Sequence, residues 1–205
     1  DIRKKDSFQI MYEAFNDENE EIVENGNILF ANLNVQGINY PLYFFDKKGS
    51  EGHYDKNGRS VKKALMKTPI NGARLSSSFG MRKHPILGFN KMHKGVDFAA
   101  PIGTPVYAGG NGIIEMVGIN GGYGKYIKIR HNNEYKTAYA HLSSYKKGIS
   151  KGVRVNQGDV IGYVGSTGRS TGPHLHYEII YQNKQINPLK LKLPSGKILA
   201  DNELV

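Results

Sequence analysis

Ser170-Thr171-Gly172-Pro173-His174-Leu175-His176-Tyr177-Glu178 reads as the start of a β-strand with two imidazoles on one face. Alternate residues of a strand share a face. His174, His176 and Glu178 therefore stand on one side, with Leu175 and Tyr177 on the other. Two adjacent imidazoles repel each other when protonated. A chain that keeps them together is expected to hold a metal or a reacting group there.

Six of the seven histidines lie beyond residue 80: His84, His93, His131, His141, His174 and His176. In His93-Lys94-Gly95-Val96-Asp97 the two potential ligands are spaced i,i+4, which shares a face on helix and strand alike. Gly95 and Pro101 favour an extended path, with Val96 and Phe98 facing a core and Asp97 facing the site. There is no cysteine, so disulfides, thiolate zinc and cysteine nucleophiles drop out together. A zinc ion held without cysteine takes three His or carboxylate ligands and an open position. His93, Asp97 and one of His174 and His176 meet that count, and the remaining histidine, with His141, is left for proton transfer. The spacing does not say which of the pair is the ligand. No His-Glu-x-x-His, Gly-x-Ser-x-Gly or P-loop is present. Ser166–Ser170 reads as a turn at the rim of the site, and His131 as a structural residue at a turn.

The rest of the chain predicts an all-β, mainly antiparallel protein. Strands are expected over 7–15, 27–35, 38–45, 112–119, 125–131, 135–142, 153–155, 159–164 and 174–181. Asn25-Gly26 is a hairpin signal, and Gln36-Gly37 joins two strands. Residues 60–66 read as a short helix or an extended connector, and 142–147 as one helical turn. Glycines become frequent from Pro69 onward. This divides the chain into a small β module (1–67), a glycine-rich β domain that holds the candidate site (68–192) and a C-terminal tail (193–205).

No apolar run approaches the roughly 20 residues of a membrane helix. The chain starts at Asp1 without a leader and reads as a fragment or processed form. Net charge is +10 over 205 residues, unevenly spread. Residues 1–67 carry 10 Lys and Arg against 11 Asp and Glu, net −1, and residues 68–205 carry 18 against 7, net +11. The second part favours an anionic partner. No helix-turn-helix, RNA-recognition or zinc-finger pattern points to nucleic acid.

His93-x-x-x-Asp97, Tyr139-Ala140-His141-Leu142 and His174-Leu175-His176 resemble, in order and context, the lysostaphin-type zinc metallopeptidases. Ser77-Ser78-Phe79-Gly80, Arg82-Lys83-His84-Pro85, Gly95–Val106 and Gly165-Ser166-Thr167-Gly168 carry the likeness further, so that it covers about residues 70–190. The resemblance implies an antiparallel β-sheet groove holding one Zn2+ through His93, Asp97 and His176. His141 and His174 are then the catalytic histidines, and peptidoglycan is the partner. Ser-Thr-Gly before the histidine pair and Tyr-Glu after it differ from glycyl-glycine-cutting members, which have Ser-Thr-Ala and Phe-Gln. The chain is more similar to envelope enzymes of Gram-negative bacteria that open D-Ala–meso-diaminopimelate cross-links, which implies a periplasmic location. Residues 1–67 resemble the β domain that precedes the catalytic domain in those enzymes. Further upstream domains can occlude the groove in such relatives.

Within this reading Glu178 orients a ligand imidazole, Tyr139 lines the groove beside His141, and Arg82 and His84 contact substrate carboxylates. The chain is read as a monomer. Two other activities fit the same motifs: D,D-carboxypeptidase trimming of stem peptides, and an inactive cell-wall-binding regulator.

Overall fold

The computed structural model describes residues 4–47, 50–83, 90–192 and 196–200, with side chains at all of these but 82, 83, 90 and 91. It is built almost wholly of antiparallel strands, as expected, and divides into two units: Asp1–Ala64 with Leu193–Val205, and Leu65–Lys192.

The first unit is a four-stranded sheet of β1 (Ser7–Asn16), β2 (Ile22–Val35), β3 (Ile38–Phe45) and β4 (Gly52–Asp55), paired in that order. Gln36 and Gly37, both at positive φ, form the β2–β3 turn. Asn25-Gly26 does not turn the chain: it lies inside β2, where pairing with β1 slips between Tyr12 and Ala14. A Cβ on Gly26 would come within 2.9 Å of Glu13 and Phe15, so this glycine marks close backbone approach at a bulge. The reversal is at Asp17, whose carboxylate accepts from the backbone of Asn19 and Glu21 (2.8 and 3.0 Å). That is an Asx turn. Leu199 N–H donates to the Gly58 carbonyl and Ile198 bridges Arg59. Residues read as a tail thus add to this unit.

The second unit comprises β5 (Arg74–Ser77), β6 (Gly80–Lys83), β7 (Asn90–His93), β8 (Val96–Ala99), β9 (Pro105–Tyr107), β10 (Gly112–Ile119), β11 (Lys125–Arg130), β12 (Tyr135–Tyr145), β13 (Arg154–Val155), β14 (Val160–Val164), β15 (His174–Tyr181) and β16 (Lys184–Ile186). The main sheet runs β13-β10-β11-β12-β15-β8-β5, with β16 on β15, β14 joining β12 to β9, and β6-β7 as a separate ribbon. Residues 60–66 form no helix, and residues 142–145 continue β12 rather than making a helical turn.

Strand alternation explains why the sheet holds. Leu175, Tyr177 and Ile179 of β15 stand opposite Phe98, Val96, Tyr139 and Thr137 on neighbouring strands. All seven are at most 3% exposed. Each large apolar side chain so buried contributes about 1.5–3 kcal/mol. No helix among the described residues is long and apolar enough to cross a membrane.

Candidate metal centre and groove

The opposite face of β15 carries the polar residues. His176 is paired with Asp97 of β8 and Ala140 of β12, His174 with Ala99, and Glu178 with Ala138. Opposed residues of an antiparallel pair project to the same side, so Asp97 joins His174 and His176 while Val96 and Phe98 enter the core. His93 arrives from the end of β7. Its Nε2 lies 3.1 Å from Asp97 Oδ1 and 3.1 Å from His176 Nδ1, and that Nδ1 lies 2.8 Å from Asp97 Oδ1. One donor atom from each of the three falls within 4.8 Å of the others.

Hydrogen bonds on the far side of each ring set the tautomers. His93 donates Nδ1–H to the Ser78 carbonyl (2.8 Å). His176 donates Nε2–H to Glu178 Oε1 (3.0 Å). Those oxygens can only accept, so His93 Nε2 and His176 Nδ1 turn their lone pairs toward the Asp97 carboxylate. Three lone-pair donors meeting in a buried place are held together by a cation, and these residues fit a metal ion.

Burial pulls the His176 imidazole down, but its bonds to Asp97 and Glu178 outweigh this and raise it to about 9. Burial pushes Asp97 up, and its close contacts with the His176 and His93 imidazoles outweigh that, holding the carboxyl well below the usual carboxylate range.

Glu178 is only 2% exposed. Besides His176 it accepts from Tyr123 OH (2.8 Å) and Gln185 Nε2 (3.3 Å). Burial raises its pKa and the His176 bond more than offsets that. A carboxylate behind a ligand imidazole orients the ring and strengthens its basicity. Tyr123 packs its ring 5.6 Å from that of His176. Tyr123 and Gln185 carried no signal in strand periodicity. An aromatic side chain in the run Asn120-Gly121-Gly122-Tyr123-Gly124 was the one available cue.

His141 reaches the same face by breaking the alternation. Pairing of β12 with β11 jumps from Tyr139↔Ile127 to Leu142↔Lys125, one extra residue on β12. His141 sits in that bulge at φ +60°. A left-handed conformation costs a non-glycine residue about 1 kcal/mol, and here it swings the ring to 4.7 Å from His174 and 6.0 Å from His176. Tyr139 therefore does not share a face with His141 and does not line the groove. It is fully buried, accepts from Gly109 N–H (2.7 Å) and packs on Tyr177.

Both remaining histidines are anchored by one loop. His141 donates Nδ1–H to the Thr167 carbonyl (2.8 Å), and His174 donates Nδ1–H to the Gly172 carbonyl (2.8 Å), with the Ser170 hydroxyl 3.2 Å away. Each leaves Nε2 open to the site, and His174 Nε2 is 3.9 Å from Asp97 Oδ1. Burial drives the His141 imidazole down to about 4, opposed by the Thr167 bond. His131 lies apart, bonded to the Asn111 carbonyl and Thr137. The Arg82 side chain and His84 fall outside the described residues.

The two histidine pairs line a groove of about 710 Å3, with Tyr123, Arg169 and Thr171 on its walls. A volume of that size is in the range of substrate sites.

Residues 91–188 match Peptidase family M23. The catalytic domain of lysostaphin from Staphylococcus simulans superposes with a TM-score of 0.53 at 35% identity, covering 58% of this chain and 91% of that one. The chain belongs to peptidase family M23. A zinc-containing peptidase from Vibrio cholerae superposes with a TM-score of 0.60 at 32% identity, covering 93% of this chain and 58% of that one. The peptidoglycan DD-endopeptidase ShyC of Vibrio cholerae serotype O1 is 41% identical over 206 residues, covering 98% of this M23 chain and 45% of ShyC. The chain thus spans about half the length of the curated relatives it matches.

Proposed function

We propose that this M23 chain carries the catalytic unit of a zinc-dependent peptidoglycan endopeptidase of the cell envelope, acting in the periplasm on D-Ala–meso-diaminopimelate cross-links. One observation carries the reading. The lone pairs of His93 Nε2, His176 Nδ1 and an Asp97 oxygen converge, while His141 and His174 face each other beside them with Nε2 unengaged. On this reading metal ligation belongs to His93, Asp97 and His176, and proton transfer to His141 and His174, all lining one groove. The names of relatives that act on peptidoglycan and the +11 charge of residues 68–205 support the substrate class.

When bound, zinc supplies Lewis-acid chemistry, polarising a carbonyl and acidifying water. The remaining work falls to side chains. With no glutamate lining the groove among the described residues, imidazole nitrogen moves the protons. His141 is held neutral by burial, so its Nε2 is free to accept a proton. Negative charge developing on the scissile carbonyl oxygen then favours the imidazolium. With both Nδ1–H groups tied to backbone carbonyls, neither ring can turn its other nitrogen to the substrate. His141 and His174 divide two tasks between them: taking the proton and stabilising the oxyanion.

The test is digestion of purified muropeptide dimers and pentapeptide monomers, resolved by mass. Cleavage of dimers to monomers is expected; release of terminal D-Ala from pentapeptides alone would establish a carboxypeptidase instead. His141→Ala and His174→Ala should each lower turnover by about 10³-fold or more with zinc content unchanged. Substantial activity in either variant overturns the assignment, and protein without zinc or EDTA-sensitive activity restores the binding-regulator alternative.

A further inference from the structure

The groove contains a guanidinium that the chemistry above leaves unused. Arg169 lies on the loop that anchors His141 and His174, and it lines the same groove. Its backbone N–H donates to the Gly122 carbonyl (2.8 Å), tying it to the loop that bears Tyr123. Its side chain lies along Gly122, where an added Cβ would sit 3.1 Å from Nε and 3.5 Å from Cζ. Among the described residues no carboxylate pairs with it. The carboxylate in the groove, Asp97, is committed to His93 and His176, and Glu178 is buried beneath them. Arg169 is thus an exposed cation, fixed at its backbone, with no side-chain partner among the described residues.

The substrate proposed above supplies one. In a D-Ala–meso-diaminopimelate amide, the carbon bonded to the scissile nitrogen bears a free carboxylate. In a glycine bridge that carbon bears an amide. A planar guanidinium takes a carboxylate through two parallel hydrogen bonds, a geometry that an ammonium cannot match. We propose that Arg169 is a specificity-determining residue that binds the carboxylate beside the scissile bond on the amine side. The inference rests on the endopeptidase reading. It explains how a groove of this family selects a diaminopimelate cross-link over a neutral bridge without any change in the metal ligands. Lys94 also lines the groove, but it sits between two ligands, on a flexible stem with a point charge.

The experiment compares the full chain with its Arg169→Gln, Arg169→Lys and Lys94→Gln variants on two dimers. One carries the free carboxylate at that carbon and the other its amide. Binding of the corresponding diaminopimelate tripeptides, free and amidated, is measured alongside cleavage. Wild type should prefer the free acid by 10- to 100-fold in kcat/KM, the size of a charge-assisted bond. Arg169→Gln should lose that preference by slowing on the free acid alone, and Arg169→Lys should recover part of it. A preference kept in Arg169→Gln, or lost in Lys94→Gln instead, overturns the proposal. So does equal binding of both tripeptides by wild type. Failure of wild type to cut either dimer, with tripeptide discrimination intact, would count against the endopeptidase reading and leave the carboxylate site standing.

Discussion

At the scale of single residues, the site depends on what lies behind each imidazole. Glu178 is the strongest case, because it is buried, its pKa is lowered mainly by the His176 bond against burial, and it is bonded to the ring of the proposed ligand His176. Replacing it with Gln keeps the shape and removes the charge. Glu178→Gln should weaken zinc binding by about 10- to 100-fold, read by competition with a chromogenic chelator. Unchanged affinity would show that the hydrogen bond to His176 Nε2, without the charge behind it, suffices to seat the ring. Glu178 was legible from the sequence because it continues the i,i+2 series of His174 and His176. Its partner Tyr123 was not, since it arrives from a turn whose path no periodicity records. The Ser78, Thr167 and Gly172 carbonyls were equally hidden: a backbone acceptor has no residue signature.

At the scale of elements, two loops are locked together around β12. Thr167 Oγ1 donates to the Leu142 carbonyl (2.8 Å) and accepts from Lys125 N–H (2.9 Å), while its carbonyl holds His141. Gly124 presses against Thr167 at φ +64°, and a Cβ there would lie 2.4–2.5 Å from Thr167 atoms. Gly124→Ala should therefore combine left-handed strain with a backbone clash, costing roughly 2–3 kcal/mol. It should also release the His141 ring. Turnover would then fall more than zinc affinity, and an unaltered melting temperature would dispose of the argument. The strands themselves were readable from alternation. Departures came where a single backbone angle or a distant side chain decided the path. The bulge at His141 put Tyr139 on the core side, and the Asp17 carboxylate took the hairpin that Asn25-Gly26 had suggested.

At the scale of the whole molecule, a metal ion at the proposed site would compete with a proton for one place. The metal-free His176 imidazole is raised to about 9 from 6.5. Its protonation therefore stabilises the metal-free fold fully below about pH 6.5, and that stabilisation is lost as pH rises through 9. Zinc must displace the proton, so it binds more tightly as pH rises over the same window. Thermal unfolding in chelator-buffered zinc should show a stabilisation that grows from pH 6.5 to 9. At 100 times the dissociation constant it reaches about 2.7 kcal/mol. A shift independent of pH would show that the proton is not held where the geometry puts it. Two units make two transitions possible, and the zinc-sensitive one belongs to residues 65–192.

The loop carrying Thr167, Arg169 and Gly172 has a pharmacological consequence. A small molecule wedged between that segment and β12 would unseat His141 and His174 together and leave His93, Asp97 and His176 in place. Inhibition of that kind would need no chelating warhead. Added zinc would not relieve it, because the residues it displaces are not the ones that would hold the metal.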